Sequence, residues 1–176
     1  MSIEQIKNQL ADYAKDIKLN LSHVLTEEGA PDLELKQIYA IALASAYASK
    51  NKILITALLS DAHSLLSEED IHAAKAAVSV MAMNNIYYRF LHLSHDKSFS
   101  SMPAKLRMNV MANPKVKKAD FELNSLAVSA IFGCGMCMDA HTQELIKHGV
   151  SKLGCQSVIR IASVIHATAI SLSIGT

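Results

Sequence analysis

Apolar residues return every three or four positions along most of the chain, the period of an amphipathic helix. Ile6, Leu10, Tyr13 and Ile17 follow Ser2-Ile3-Glu4-Gln5, a run suited to a reciprocal helix cap, while Lys15, Asp16 and Lys18 supply a polar side. This spacing predicts a first helix through Ile17. Ser22 to Asp32 is polar, holds Gly29 and Pro31, and reads as a connection. A second helix is expected from Leu33 to about Ala48, where Ala40, Ala42, Ala44 and Ala46 let neighbours approach closely. Lys50-Asn51-Lys52 marks a turn before a third helix, Ile53 to about Leu66. Ser67-Glu68-Glu69-Asp70 opens a fourth, with carboxylates in its first turn and a run to about His92.

Beyond that point the pattern is more mixed. Met81, Met83, Asn84, Asn85, Tyr87 and Tyr88 read as core and helix–helix contact. A pocket wall is the functional alternative, because methionine surfaces adapt to varied ligands. Ser94 to Lys105 is a polar loop containing Pro103, and Leu106 to Ala112 a short helix stopped before Pro114. Lys115 to Lys118 is basic and reads as solvated. Ala119 to Phe132 is expected to be helical, and a further helix follows Gly133 and ends near His148-Gly149. Ser151 opens the last, containing Val158, Ile161, Val164 and Ile165. The apolar run from Ile161 to Ile174 is interrupted by His166, Thr168 and serines, so it reads as a buried helix and not as a membrane span.

Composition supports this reading. The chain has 176 residues, 51% of them apolar and 5% aromatic, with six glycines and three prolines. That is the make-up of packed helices and argues against a many-turned β-sandwich. One all-α domain spanning residues 1–176 is expected. A formal net charge of +1, without a basic stripe, makes nucleic acid a poor partner. The start, Met1-Ser2-Ile3-Glu4-Gln5, does not read as a signal peptide, so a cytoplasmic location is expected. In that compartment a Cys-x-x-Cys pair points to redox chemistry or metal binding before a permanent staple.

Such a pair is present in Gly133-Cys134-Gly135-Met136-Cys137-Met138-Asp139-Ala140-His141. Thiols at a helix start feel the positive end of the backbone dipole, which favours the reactive thiolate. On a helix, Cys134, Cys137, His141, Leu145 and His148 share one stripe, and a base one turn from a thiol is a minimal nucleophile arrangement. If the preceding helix reverses at Gly133, Glu122 lies about 15 Å back along it and His141 about 10 Å along the next. A Glu122–His141–cysteine relay is then feasible, with a surface glutamate as the ordinary alternative. Zinc held by Cys134, Cys137 and His141 or His148 is the metal alternative, although structural zinc usually takes a second distant ligand pair. Cys155, on an apolar helix, reads as a buried inert thiol, and His63, His72, His92 and His95 share no spacing.

Several segments resemble a known family. Asn113-Pro114, Phe121-Glu122-Leu123, Ala127-Val128-Ser129-Ala130-Ile131, Gly133-Cys134-x-x-Cys137 and Ala140-His141 are similar to the AhpD-type alkylhydroperoxidases of the carboxymuconolactone decarboxylase-like superfamily. So are Tyr13 to Leu21, Leu43-Ala44-Ser45-Ala46, Met81-x-Met83-Asn84-Asn85 and Leu106-Arg107-Met108-Asn109. The resemblance implies an all-helical fold, a homotrimer and reduction of alkyl hydroperoxides; the isolated Cys-x-x-Cys predicts a protein without metal, and no cofactor is expected. The resemblance also implies re-reduction of a peroxiredoxin, AhpC, with electrons from dihydrolipoyl groups of a 2-oxoacid dehydrogenase component. By motif match Cys137 is the peroxidatic thiol, Cys134 resolves it as a disulfide, and Glu122 and His141 relay protons. Spacing agrees for Cys137, since His141 is one turn from it and two from Cys134. The mixed disulfide with AhpC is expected on Cys134, nearer the helix end. Family members can carry histidine between the cysteines; here that position is Met136, so the proton path must run without it. A non-redox decarboxylase or binding protein on the same fold is the remaining alternative.

Overall fold

Two stretches of the chain are buried on nearly every side, and the rest of the bundle is laid around them. One is Ala40–Ala46; the other is Phe121–Ser129. A helix apolar all round belongs inside a bundle. The computed structural model describes residues 1–175, and among them are nine α-helices and no strand. They are α1 (Ile3–Gln9), α2 (Lys15–Val24), α3 (Leu35–Ala48), α4 (Lys52–Asp61), α5 (Glu68–Leu93), α6 (Asn109–Ala112), α7 (Lys118–Ile131), α8 (Gly135–Lys147) and α9 (Lys152–Ile174). The all-α class expected from periodicity is observed. Helix α3 packs on α4, α5, α7 and α9, and α7 on α3, α5, α8 and α9. Hydroxyls on these buried helices bond back to their own backbone: Ser45 Oγ donates to the Ile41 carbonyl at 2.7 Å and Ser125 Oγ to that of Phe121 at 2.9 Å.

Helix α9 is long and apolar enough to cross a bilayer by composition alone. Its Val158, Ile161, Ala162, Ile165 and Ala169 are instead buried in the protein core, where the helix packs on α2, α3 and α7.

The structure departs from the expected boundaries at four places. The first helix breaks at Leu10, which is extended, and a 3-10 turn over Asp12–Ala14 leads into α2. The break lets two pieces find different neighbours. Helix α1 packs on α4, where Asp61 Oδ2 accepts the Ile3 N–H at 2.8 Å, and α2 packs on α9. Helix α2 then runs to Val24, into the segment expected to be a connection. Gly29 closes that connection, because a Cβ there would lie 1.9 Å from the His23 carbonyl oxygen. Helix α4 ends at Asp61, short of Leu66, and α6 is one turn inside a long irregular segment.

Helix α5 starts as expected. Ser67 Oγ accepts the Asp70 N–H at 3.2 Å, and Asp70 Oδ2 accepts the Ser67 N–H and hydroxyl, both at 2.9 Å. The same carboxylate pairs with Lys36 of α3 at 2.9 Å, joining two helices. Burial pushes the Asp70 carboxyl up, but Lys36 and the Ser67 bonds more than offset this and hold it below the ordinary carboxylate range. A depressed carboxyl stabilises the fold fully above its unfolded value and loses that contribution as pH falls through the folded value. Replacing Asp70 by Ala is therefore expected to cost about 1–3 kcal/mol at neutral pH. Denaturant unfolding of both proteins should show this gap narrowing as pH falls below the ordinary carboxylate range. A gap independent of pH would assign the loss to packing and not to the charge.

Candidate active site

Helices α7 and α8 form a hairpin whose reversal is set at Gly133. Its φ of +68° is in the left-handed region that glycine adopts without strain. The Cys134 N–H bonds to the Ser129 carbonyl and the Gly133 N–H to that of Ala130, both at 3.1 Å. This pair of bonds is the Schellman ending of a helix. Arg89 of α5 donates from Nη1 to the Phe132 carbonyl at 2.7 Å and ties the turn to the bundle.

Cys134 leaves this turn directly as the N-cap of α8. Its Sγ accepts the Cys137 N–H at 3.3 Å, satisfying one of the orphan donors of the first turn. The two cysteines form a disulfide with a Cα–Cα separation of 5.3 Å. Their surroundings differ. Cys134 is fully buried, at 0% exposure, whereas Cys137 is 6% exposed and borders a cavity of about 380 Å³. Methionines dominate the cavity wall: Met81 from α5, Met108 and Met111 around α6, and Met136 from α8. The pocket-wall alternative for the α5 stretch therefore applies to Met81, Asn84 and Tyr88, while Met81 is also part of the core.

His141 opens on the same cavity one turn beyond Cys137. Its Nδ1 lies 2.6 Å from Glu122 Oε2 on α7, and its Nε2 lies 3.2 Å from the Met81 sulfur. A carboxylate only accepts, so Nδ1 carries the hydrogen and Nε2 is the nitrogen turned away from Glu122, towards the Met81 sulfur. The hairpin thus brings Glu122 and His141 into direct contact, with no bridging water needed. Glu122 is buried, which sets aside the surface-glutamate alternative.

A second partner completes Glu122. Lys118, one turn earlier on α7, places Nζ 2.8 Å from Oε1 and donates to the Met111 carbonyl at 2.8 Å. Burial pushes the Glu122 carboxyl up; the bonds from His141 and Lys118 outweigh it and hold the group below its ordinary value. Glu122 is therefore an anion at neutral pH.

Lys115 and Lys117 are exposed, as expected of this basic run, but Lys118 is only partly exposed and is tied to Glu122 and Met111. The signal was available, since Lys118 and Glu122 stand four apart, the spacing of a helical ion pair. Met81 reaches the site from the α5 stretch already marked as a possible pocket wall, whereas Arg89, which ties the turn, is marked by no local pattern. His148, on the expected stripe, is exposed and lies 3.3 Å from Glu144 instead of joining the site. His63, His72, His92 and His95 are exposed. Cys155 is buried in α9, and burial pushes its thiol up. Among the described residues, no group of three or more His, Cys, Asp or Glu side chains forms a metal-ligand set.

The carboxymuconolactone decarboxylase family pattern matches residues 98–173, which includes the cysteines, His141 and Glu122. An alkyl hydroperoxide reductase AhpD of Coxiella burnetii is 54% identical over 167 residues, covering 95% of this chain and 94% of that protein. One from Maricaulis maris is 50% identical over 173 residues, covering 98% of both. A third, from Rhodopseudomonas palustris, is 47% identical over 175 residues, covering 99% of this chain and 95% of its own.

The geometry predicts a countable thiol change. Unfolded in denaturant without reductant, the disulfide form should titrate one thiol per chain, Cys155; after dithiothreitol it should titrate all three cysteines. Three reactive thiols before reduction, in protein purified under air, would mean that Cys134 and Cys137 do not form a stable disulfide.

Proposed function

The chain belongs to the AhpD-type alkyl hydroperoxide reductases of the carboxymuconolactone decarboxylase family, and we propose that it reduces alkyl hydroperoxides through the Cys134–Cys137 dithiol. The observation that carries this reading is one cavity bordered by both Cys137 and a histidine anchored on a buried carboxylate.

His141, held by Glu122, takes the Cys137 proton directly or through a water. The Cys137 thiolate attacks the distal oxygen of the hydroperoxide. An S–O bond forms, the O–O bond breaks, and the departing alkoxide takes a proton from His141 to leave as alcohol. Cys134 then attacks the Cys137 sulfenic acid; the S–S bond forms and hydroxide leaves as water with the Cys134 proton. The methionine-rich wall suits an alkyl chain, since thioether side chains pack adaptably.

Re-reduction runs through the same opening. A dihydrolipoyl thiolate attacks Cys137, and Cys134 departs as a thiolate already bonded to the helix N-terminus. The second lipoyl thiol then closes the lipoyl disulfide and frees Cys137. With a peroxiredoxin of the AhpC type as oxidant, the direction reverses: reduced Cys137 attacks its disulfide and Cys134 resolves the complex. Sequence position favoured Cys134 for this mixed disulfide. Its complete burial argues for Cys137, the sulfur that borders the cavity. The reading includes a lipoylated 2-oxoacid dehydrogenase component as donor, a homotrimer, and a cytoplasmic setting, all on the strength of the family.

Consumption of cumene hydroperoxide by purified protein and dihydrolipoamide tests the function, and Cys137→Ser should abolish it. Turnover by Cys137→Ser would overturn the assignment. With peroxide and a sulfenate-trapping reagent, Cys134→Ser should label at Cys137, and it should also trap AhpC as a mixed disulfide. Labelling or capture confined to Cys137→Ser would exchange the roles of the two sulfurs. Glu122→Gln should lower turnover by about 10²–10⁴-fold with the fold retained; wild-type turnover would remove Glu122 from the mechanism.

A further inference from the structure

We propose that Lys118 is a positioning residue of the relay: a fixed cation that balances the buried Glu122 carboxylate and so leaves His141 free to gain and lose its second proton. This rests on the relay reading above and adds a residue that reading does not use.

Glu122 has two cationic neighbours among the described residues, Lys118 at 2.8 Å from Oε1 and His141 at 2.6 Å from Oε2. They differ in kind. Lysine is charged throughout the neutral range, while histidine changes charge within it. A carboxylate buried with histidine as its sole partner favours the imidazolium, because an uncompensated buried charge is costly. The histidine would then hold its second proton more tightly and release it less readily. With Lys118 on the other oxygen, the carboxylate is balanced whichever form His141 takes, and it holds Nδ1–H in both.

Among the described residues, Glu122 makes no ion pair besides those with Lys118 and His141. Helix α5 brings the uncharged Met81 and Asn84 and the Tyr88 phenol. Near α6 the contact is the Met111 carbonyl; on α8 Cys137 borders the same cavity, while Glu144 pairs with Lys147 and His148. Helix α3 directs Gln37 to Asp120 and Lys36 to Asp70. From α9, Arg160 bonds Ser157 and His166 bonds Ser49. Lys118 also fastens the cavity wall through the Met111 carbonyl, so a test must separate charge from tether.

Reduced wild-type, Lys118→Met and Lys118→Arg proteins are mixed with cumene hydroperoxide, and thiol loss is timed from about pH 5 to pH 9. Removing a cation beside the carboxylate should make His141 hold its second proton to higher pH. The acid limb of the Lys118→Met profile is therefore expected about one pH unit above wild type, with a rate near pH 6 about tenfold lower. Lys118→Arg should restore the limb. A second arm follows the His141 ring by NMR in the reduced proteins, where its titration should move up in Lys118→Met alone. That arm needs no turnover. A wild-type protein inert to peroxide would overturn the proposed function, and the ring titration would still decide Lys118. A rate lowered equally at every pH with an unmoved ring titration would make Lys118 a wall fastener only and overturn the inference. If Lys118→Met does not fold, Lys118→Gln, which keeps a donor for the Met111 carbonyl, carries the same two measurements.

Discussion

A carboxylate placed among apolar side chains sets the terms for the site. Leaving Glu122 unpaired would cost several kcal/mol in desolvation, so its bonds to His141 and Lys118 are conditions of the fold as much as parts of a mechanism. They also fix register. Contact between Glu122 and His141 sets how far α8 runs back along α7, and that places Cys137, one turn before His141, on the cavity. The reversal at Gly133 makes this register reachable, and Arg89 holds the reversal against α5.

The disulfide joins two sulfurs that live in different environments. Cys134 serves the backbone, accepting an N–H at the start of α8 where the helix end favours negative charge. Cys137 serves the cavity. Such a division suits thiol–disulfide exchange, in which one sulfur is attacked and the other leaves, and in which the better leaving group is the one whose thiolate is already stabilised.

Much of this was legible in the chain. Helices and their polar punctuation follow from the 3.6-residue period, and Cys134, Cys137 and His141 form a local pattern that any helix would bring together. Glu122 needed the assumption of a reversal at Gly133, and the structure supplies that reversal. The breaks at Leu10 and after Asp61 were not legible, because they depend on which helices α1, α2 and α4 pack against and not on their own propensity. Surroundings supplied by the fold were the other blind spot. Lys118 looks like one more member of a solvated run until Met111 and Glu122 are seen around it, and Cys134 looks like the accessible cysteine because it comes first.

Cys155 gives the chain an odd number of thiols. It is buried in α9, and its raised thiol stays protonated at neutral pH, so it is a poor nucleophile towards a disulfide. Disulfide isomers that would strand Cys134 or Cys137 alone are thereby suppressed. With Cys155 held out of exchange, the dithiol chemistry proposed for this three-cysteine chain stays a two-electron couple, with no route into scrambled forms.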